Sequence, residues 1–210
     1  TQLQARHLGV LASVGVDSVE VYKPLKVAIA STGSELVNPG DSLAAGQIYN
    51  SNRFLLAGLV SQLGMEVVDI GIITDERSTT ESALANAAAR ADIIITSGGV
   101  SEGEEDHVKG ALESLGQLDM WKLAIKPGKP LAFGRVNQTP FFGLPGNPAS
   151  VLVTFMVMAR PFLLAAQGCA HTQGFSFNAH LINPPKRPSI RQEYLRVRLV
   201  ENGHHGLAVE

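Results

Sequence analysis

Cysteine is nearly missing: Cys169 stands alone in 210 residues. No internal disulfide framework can form, and the chain suits a reducing compartment, which points to the cytoplasm. An excess of basic charge is missing too. Lys and Arg number 17 against 19 Asp and Glu, for a net charge of -2. Nothing is left over to neutralise a nucleic-acid backbone, so nucleic acid is not an expected partner. No apolar run reaches the roughly 18 residues that a membrane helix needs, so no membrane partner is expected. The amino end lacks the basic-then-apolar pattern of a secretory signal. Aromatics are scarce, at 6%. What is present is 45% hydrophobic residues, enough for a real core, with 21 Gly and 11 Pro to punctuate it. Because it begins at Thr1 without Met and stops inside a strand-like stretch, the chain reads as an excerpt of a longer protein.

Residues 2–14 pattern as a short helix closed by Gly15, and 16–22 as an extended connector. From Lys26 the order is clearer. Apolar runs at 27–30, 67–73 and 92–96 alternate with helical stripes at 52–63 and 78–90 and a further helix over about 106–115. Such spacing implies βαβ units, a mostly parallel sheet and helices on both of its faces, a three-layer α/β domain. Strand-like stretches follow at 121–125, 131–136 and 141–144, then a helix over about 149–167. After His171 the texture changes. Residues 175–181 and 194–200 alternate with period two, like two antiparallel strands with Pro184-Pro185 between them. The charge balance changes as well: residues 171–210 carry five basic and three acidic side chains, against twelve and sixteen in the rest. The expected organisation is a linker over 1–22, an α/β domain over 23–170, and from 175 to 210 the start of a truncated, β-barrel-like domain too short to fold alone.

In parallel sheets ligands sit at the carboxyl ends of the strands, so the loops there are the candidates for chemistry. Thr32-Gly33-Ser34-Glu35 follows the first strand and puts an acid beside a glycine turn. Asn50 and Ser51 precede a helix and read first as its cap. Asp75 ends the second strand, where it either caps the next helix or faces the site. Ser97-Gly98-Gly99-Val100-Ser101 lets backbone N–H groups approach an anion, with the acids Glu102, Glu104, Glu105 and Asp106 close behind. Anion and carboxylates coexist where a cation such as Mg²⁺ mediates between them. Lys126-Pro127-Gly128-Lys129 has the residues of a type II turn, which would bring the two lysines close, with Lys122 on the same strand face as Lys126. Three lysines at one turn favour an anion site. Asn147 and Pro148 suit the cap and first position of a helix, after Pro145-Gly146.

The strings STGSEL (31–36), GQIYNSN (46–52), SGGVSEGEED (97–106), IKPGKP (125–130) and GLPGNP (143–148), in this order and spacing, resemble the molybdopterin molybdenumtransferase family, called MoeA in bacteria and matched by the E domain of gephyrin. The resemblance runs over nearly the whole chain. It implies an enzyme of molybdenum cofactor biosynthesis. Such an enzyme inserts molybdate into adenylylated molybdopterin, releases AMP, uses Mg²⁺ and works as a homodimer whose site the partner's amino-terminal region completes. Carried over by position, it implies catalytic roles for Glu35, Asp75, Asp106, Lys122 and Lys126. Substrate contacts are implied for Thr32, Gly33, Ser97, Gly98, Gly99, Ser101, Lys129, Pro145, Gly146, Asn147, Pro148 and Arg191. Asp106 is the residue it offers to Mg²⁺; no complete metal shell can be named. Ser34 and Asn50 stand where the family often has Asp, and Glu102 where it often has Val. Two other readings are a molybdopterin adenylyltransferase, whose usual Gly-Gly-Thr-Gly loop is here Gly-Gly-Val-Ser, and a gephyrin-like scaffold that binds peptides.

Overall fold

The computed structural model describes residues 3–100, 107–184, 189–202 and 206–210. In chain order its elements begin with helix α1 (Ala5–Ser13), strands β1 (Lys26–Thr32), β2 (Leu36–Val37) and β3 (Ile48–Tyr49), and helix α2 (Ser51–Gln62). Next come β4 (Glu66–Ile73), α3 (Arg77–Arg90), β5 (Ile93–Ser97) and α4 (His107–Leu115). Strands β6 (Gly116–Lys122), β7 (Ile125–Lys126), β8 (Pro130–Val136) and β9 (Thr139–Leu144) follow, then helices α5 (Pro148–Thr154) and α6 (Arg160–Ala166), joined by a π-helical turn over Phe155–Ala159. The last elements are β10 (His180–Leu181), β11 (Gln192–Glu193), β12 (Leu199–Asn202) and β13 (Gly206–Val209).

The main sheet runs β4-β1-β5-β9-β8-β6. Its first four strands are parallel, and β8 and β6 extend it antiparallel. Alternation along the buried strands explains the layers. Val27 and Ile29 of β1 and Ile93 and Ile95 of β5 face one side, where α2 and the α5–α6 helix cover them through Leu56, Val60, Val151, Phe155 and Leu163. Ala28 and Ile94 face the other side, against Leu84 and Ala87 of α3 and Val108, Ala111 and Leu112 of α4. Strands buried on both faces read as unbroken apolar runs, which is why β1 and β5 were visible in the sequence. The expected mostly parallel three-layer α/β architecture is the one observed, with a smaller strand-rich region after it.

Several expectations need correction. The stretch expected as one strand over 121–125 belongs to β6, which starts at Gly116 and ends at Lys122, and to the separate β7. Lys122 and Lys126 therefore do not share a strand face. At the expected turn Gly128 has φ 106°, the positive value that Gly supplies at the third position of a type II turn. The Lys126–Pro127 peptide is cis, the Lys126 carbonyl accepts from the N–H of Tyr194 at 2.8 Å, and Leu123 N–H donates to the Lys129 carbonyl at 2.9 Å. Helical structure runs without a break from Pro148 to Ala166, 19 residues, long and apolar enough by length and composition to cross a membrane, where the sequence reading found no such run. Here one of its faces is packed into the core through Val151, Phe155, Ala159 and Leu163. Finally, the two long antiparallel strands expected over 175–181 and 194–200 are mostly absent. Only His180–Leu181 and the end of the second stretch join a sheet; β12 pairs antiparallel and β10 parallel with β13. The rings of Phe175 and Phe177 lie 5.7 Å apart on the exposed surface instead.

Candidate active site

The carboxyl ends of β1, β4, β5 and β9 meet at one edge of the sheet, and a cleft of about 960 Å³ opens there. Thr32 at the end of β1 and Gly33 and Glu35 from the loop after it line the cleft, with Asp75 from the loop after β4. Ser97 ends β5 and Gly98 and Gly99 follow it, and Gly146, Asn147 and Pro148 follow β9. All ten were named from the sequence. The loops interlock closely. Gly98 and Gly99 both adopt left-handed backbone, with φ 86° and 62°. A Cβ on Gly99 would lie 2.6 Å from Thr32 Oγ1 and 2.6 Å from Val108 Cγ2. Gly98 N–H donates to the Leu144 carbonyl at 3.0 Å, which ties the loop after β5 to the end of β9. Glycine is required there by both backbone conformation and space.

Asp75 is resolved by the structure. It does not cap α3, whose N-cap is Glu76. Its carboxylate instead accepts from Ser34, at 3.0 Å from the backbone N–H and 3.2 Å from the hydroxyl. Two carboxylates, Glu35 and Asp75, therefore line the cleft on adjacent loops. Asn50 does cap α2, its Oδ1 accepting from Arg53 N–H at 3.2 Å, and Asn147 caps α5, accepting from Ala149 N–H at 2.9 Å. Beneath the cleft the hydroxyls of Ser31 and Ser97 lie 3.1 Å apart, and Ser31 donates to Asn50 Oδ1 at 3.0 Å.

The basic residues named from the sequence stand apart from this lining. Lys126 Nζ is 3.0 Å from Glu193 Oε1, a pair that joins β7 to β11. The hydrogen bond from Lys126 is the main cause that holds the Glu193 carboxyl below its ordinary value of 4.5. Arg191 precedes β11, Lys122 ends β6, and none of these three lines the cleft. Lys129 is next in the chain to Pro130, which does. Pro145 is buried at the end of β9, behind Gly146. Ser101 and Asp106 lie outside the described residues. Sequence reasoning missed Asn50, Asn52, Tyr49 and Pro130 as lining residues. The first two were legible as helix-start residues, and their further bonds, to Ser31 and to the Gly146 carbonyl, join stretches remote in sequence.

A three-layer, mostly parallel α/β fold with polar loops around one cleft at the strands' carboxyl ends defines a small-ligand-binding domain. The family model described as "Probable molybdopterin binding domain" matches residues 28–165, and the chain belongs to that family. It is 48% identical over 167 residues to the molybdopterin molybdenumtransferase of Haemophilus influenzae, across 80% of this chain and 41% of that protein. To the molybdopterin molybdenumtransferase of Nostoc it is 42% identical over 174 residues, across 81% of this chain and 40% of that one. The crystal structure of the molybdopterin biosynthesis MoeA protein from Pyrococcus horikoshii superposes with a TM-score of 0.82 at 31% identity, covering 100% of this chain and 51% of that one. The chain thus spans about two fifths of the length of these curated relatives.

Proposed function

We propose that this chain carries the substrate-holding and catalytic loops of a molybdopterin molybdenumtransferase, which inserts molybdate into adenylylated molybdopterin and releases AMP. The observation that carries this reading is that all five family-like strings, 31–36, 46–52, 97–106, 125–130 and 143–148, contribute lining residues to one cleft, which Asp75 joins. The relatives' names support the same activity.

Substrate and molybdate are both clusters of anionic oxygens. The side-chain-free bend at Gly98–Gly99 lets such a cluster approach the backbone. Thr32 and Ser97 supply hydroxyls, and the amino end of α2 adds its partial positive charge. Lys122, Lys126, Lys129 and Arg191, to which the resemblance assigns anion contacts, lie beside the cleft lining at the end of β6, in β7, after β7 and before β11, and full charge reaches the ligand from there. No covalent nucleophile is needed; positioning and electrostatics carry the acceleration.

The residues fit Mg²⁺. It binds through one or two carboxylates and completes its shell with water and phosphate oxygens. Glu35 and Asp75 offer two carboxylates on the cleft wall. Glu35, Asp75 and Asp106 would hold it, and when bound it supplies Lewis-acid polarisation of the phosphoanhydride.

The working form is a homodimer of the full-length protein in the cytoplasm. The test is molybdenum insertion by that protein with Glu35→Gln or Asp75→Asn. Each variant should fold and lose turnover by roughly two orders of magnitude, the scale of one lost transition-state contact. Unchanged insertion in both, or adenylylation of molybdopterin from ATP in its place, overturns the assignment.

A further inference from the structure

Three residues that line the cleft carry buried polar atoms with no hydrogen-bond partner: Thr32 Oγ1, Asn50 Nδ2 and Asn52 Oδ1. Buried polar atoms are almost always paired, so orphans gathered among the residues of one cleft mark partners supplied from outside the chain. The orientation of both amides is fixed by what they already do. Asn50 Oδ1 accepts from Arg53 N–H and from the Ser31 hydroxyl, so its Nδ2 is the spare atom, a donor. Asn52 Nδ2 donates to the Gly146 carbonyl at 2.7 Å, so its Oδ1 is the spare atom, an acceptor. The two residues are 1% and 8% exposed.

An acceptor has nothing to offer a phosphate or molybdate oxygen, and the neutral donor of Asn50, two residues earlier at the start of α2, makes the two unlike the glycine bend. We propose that Asn50 and Asn52 form a donor–acceptor pair that reads an uncharged edge of the ligand, one presenting both a donor and an acceptor. The inference rests on the cleft being an anion-ligand site, and adds a direction to it. The charged end lies on Gly98–Gly99 and Thr32, and the neutral edge lies on the start of α2. A sugar hydroxyl and the amide-like edge of a pterin or purine share the required chemistry.

The test is calorimetric binding of four probes to the wild-type chain and to Asn52→Leu, with Asn50→Ser as a second variant that keeps a good helix cap. Pyrophosphate carries charge alone, ribose 5-phosphate adds the sugar, AMP adds sugar and purine, and pterin-6-carboxylate carries the pterin edge. Both variants should weaken at least one of the three organic probes tenfold or more and leave pyrophosphate within twofold. The affected probe tells sugar from purine from pterin. Equal weakening of all four would mean that Asn52 only staples α2 to the loop after β9, and overturns the pairing, as does no change with any probe. If the wild-type chain binds none of the four, the anion-site reading fails first and the inference with it. Pyrophosphate binding lost in Gly98→Ala but indifferent organic probes in the asparagine variants would leave that reading standing and sink only the pair.

Discussion

Gly98 sits so tightly on Thr32 that a Cβ added to it would fall against the Thr32 carbonyl oxygen. With φ 86° the same position disfavours any side chain on backbone grounds as well. Gly98→Ala should therefore cost about 1–3 kcal/mol of stability and prise apart the loops after β1 and β5. Denaturant unfolding reads the first effect, and pyrophosphate calorimetry should show at least a tenfold loss. A variant as stable and as tight-binding as wild type would mean that the loops do not lock in this way.

This contact also shows what was legible in the sequence. Glycines after apolar runs announce strand ends, and the unbroken apolar runs at 27–30 and 93–95 announce strands covered on both faces. The cleft's lining followed, because strand ends in a parallel sheet fall on one edge. Contacts that join distant stretches did not. Asn52 meets Gly146 across 94 positions and Lys126 meets Glu193 across 67. Nothing local distinguishes an asparagine that caps a helix from one that also faces a ligand, or a lysine awaiting an anion from one held by a carboxylate. The alternation of 175–181 misled because alternation makes a strand only where a neighbouring strand takes up its hydrogen bonds.

Asp75 offers a cleaner probe of charge than of shape. Its carboxylate accepts from Ser34 N–H and hydroxyl, and the amide oxygen of Asp75→Asn can accept the same two bonds. Melting should shift by no more than a surface substitution does, about 0.5 kcal/mol. Turnover of the full-length protein should fall and no longer respond to added Mg²⁺. A retained Mg²⁺ response would remove Asp75 from the metal's surroundings.

Phe142 lies on β9 two residues before its end, ahead of the loop that supplies Gly146, and its ring packs 4.8 Å from Phe133 and 5.2 Å from Phe162. The side chain is 2% exposed. Phe142→Ala should cost about 3–5 kcal/mol, measured by urea unfolding, and Phe142→Leu distinctly less. A cost under 1 kcal/mol for the alanine variant, well outside the range for a buried aromatic, would mean that the aromatic cluster is not part of the cooperative core.

The Lys126–Glu193 pair makes an acid-labile tether between the lysine loop and β11. The Glu193 carboxyl is held low chiefly by the Lys126 hydrogen bond. The folded chain thus keeps this group ionised where the unfolded chain would begin to take up a proton. The pair's contribution is complete above the ordinary value of 4.5 and is lost as pH falls through the lowered folded value. Two amides report on it directly, because Gln192 N–H donates to the Ala124 carbonyl at 3.0 Å and Tyr194 N–H to the Lys126 carbonyl at 2.8 Å. Their hydrogen-exchange protection should hold steady from neutral pH to about 4.5 and drop below it. In Glu193→Gln the protection should be lower at neutral pH and lack that drop. An anion that recruits Lys126 must displace Glu193, so the same variant should bind molybdate several-fold more tightly than wild type. Weaker binding in Glu193→Gln would show that the carboxylate positions the lysine for the anion and does not compete with it.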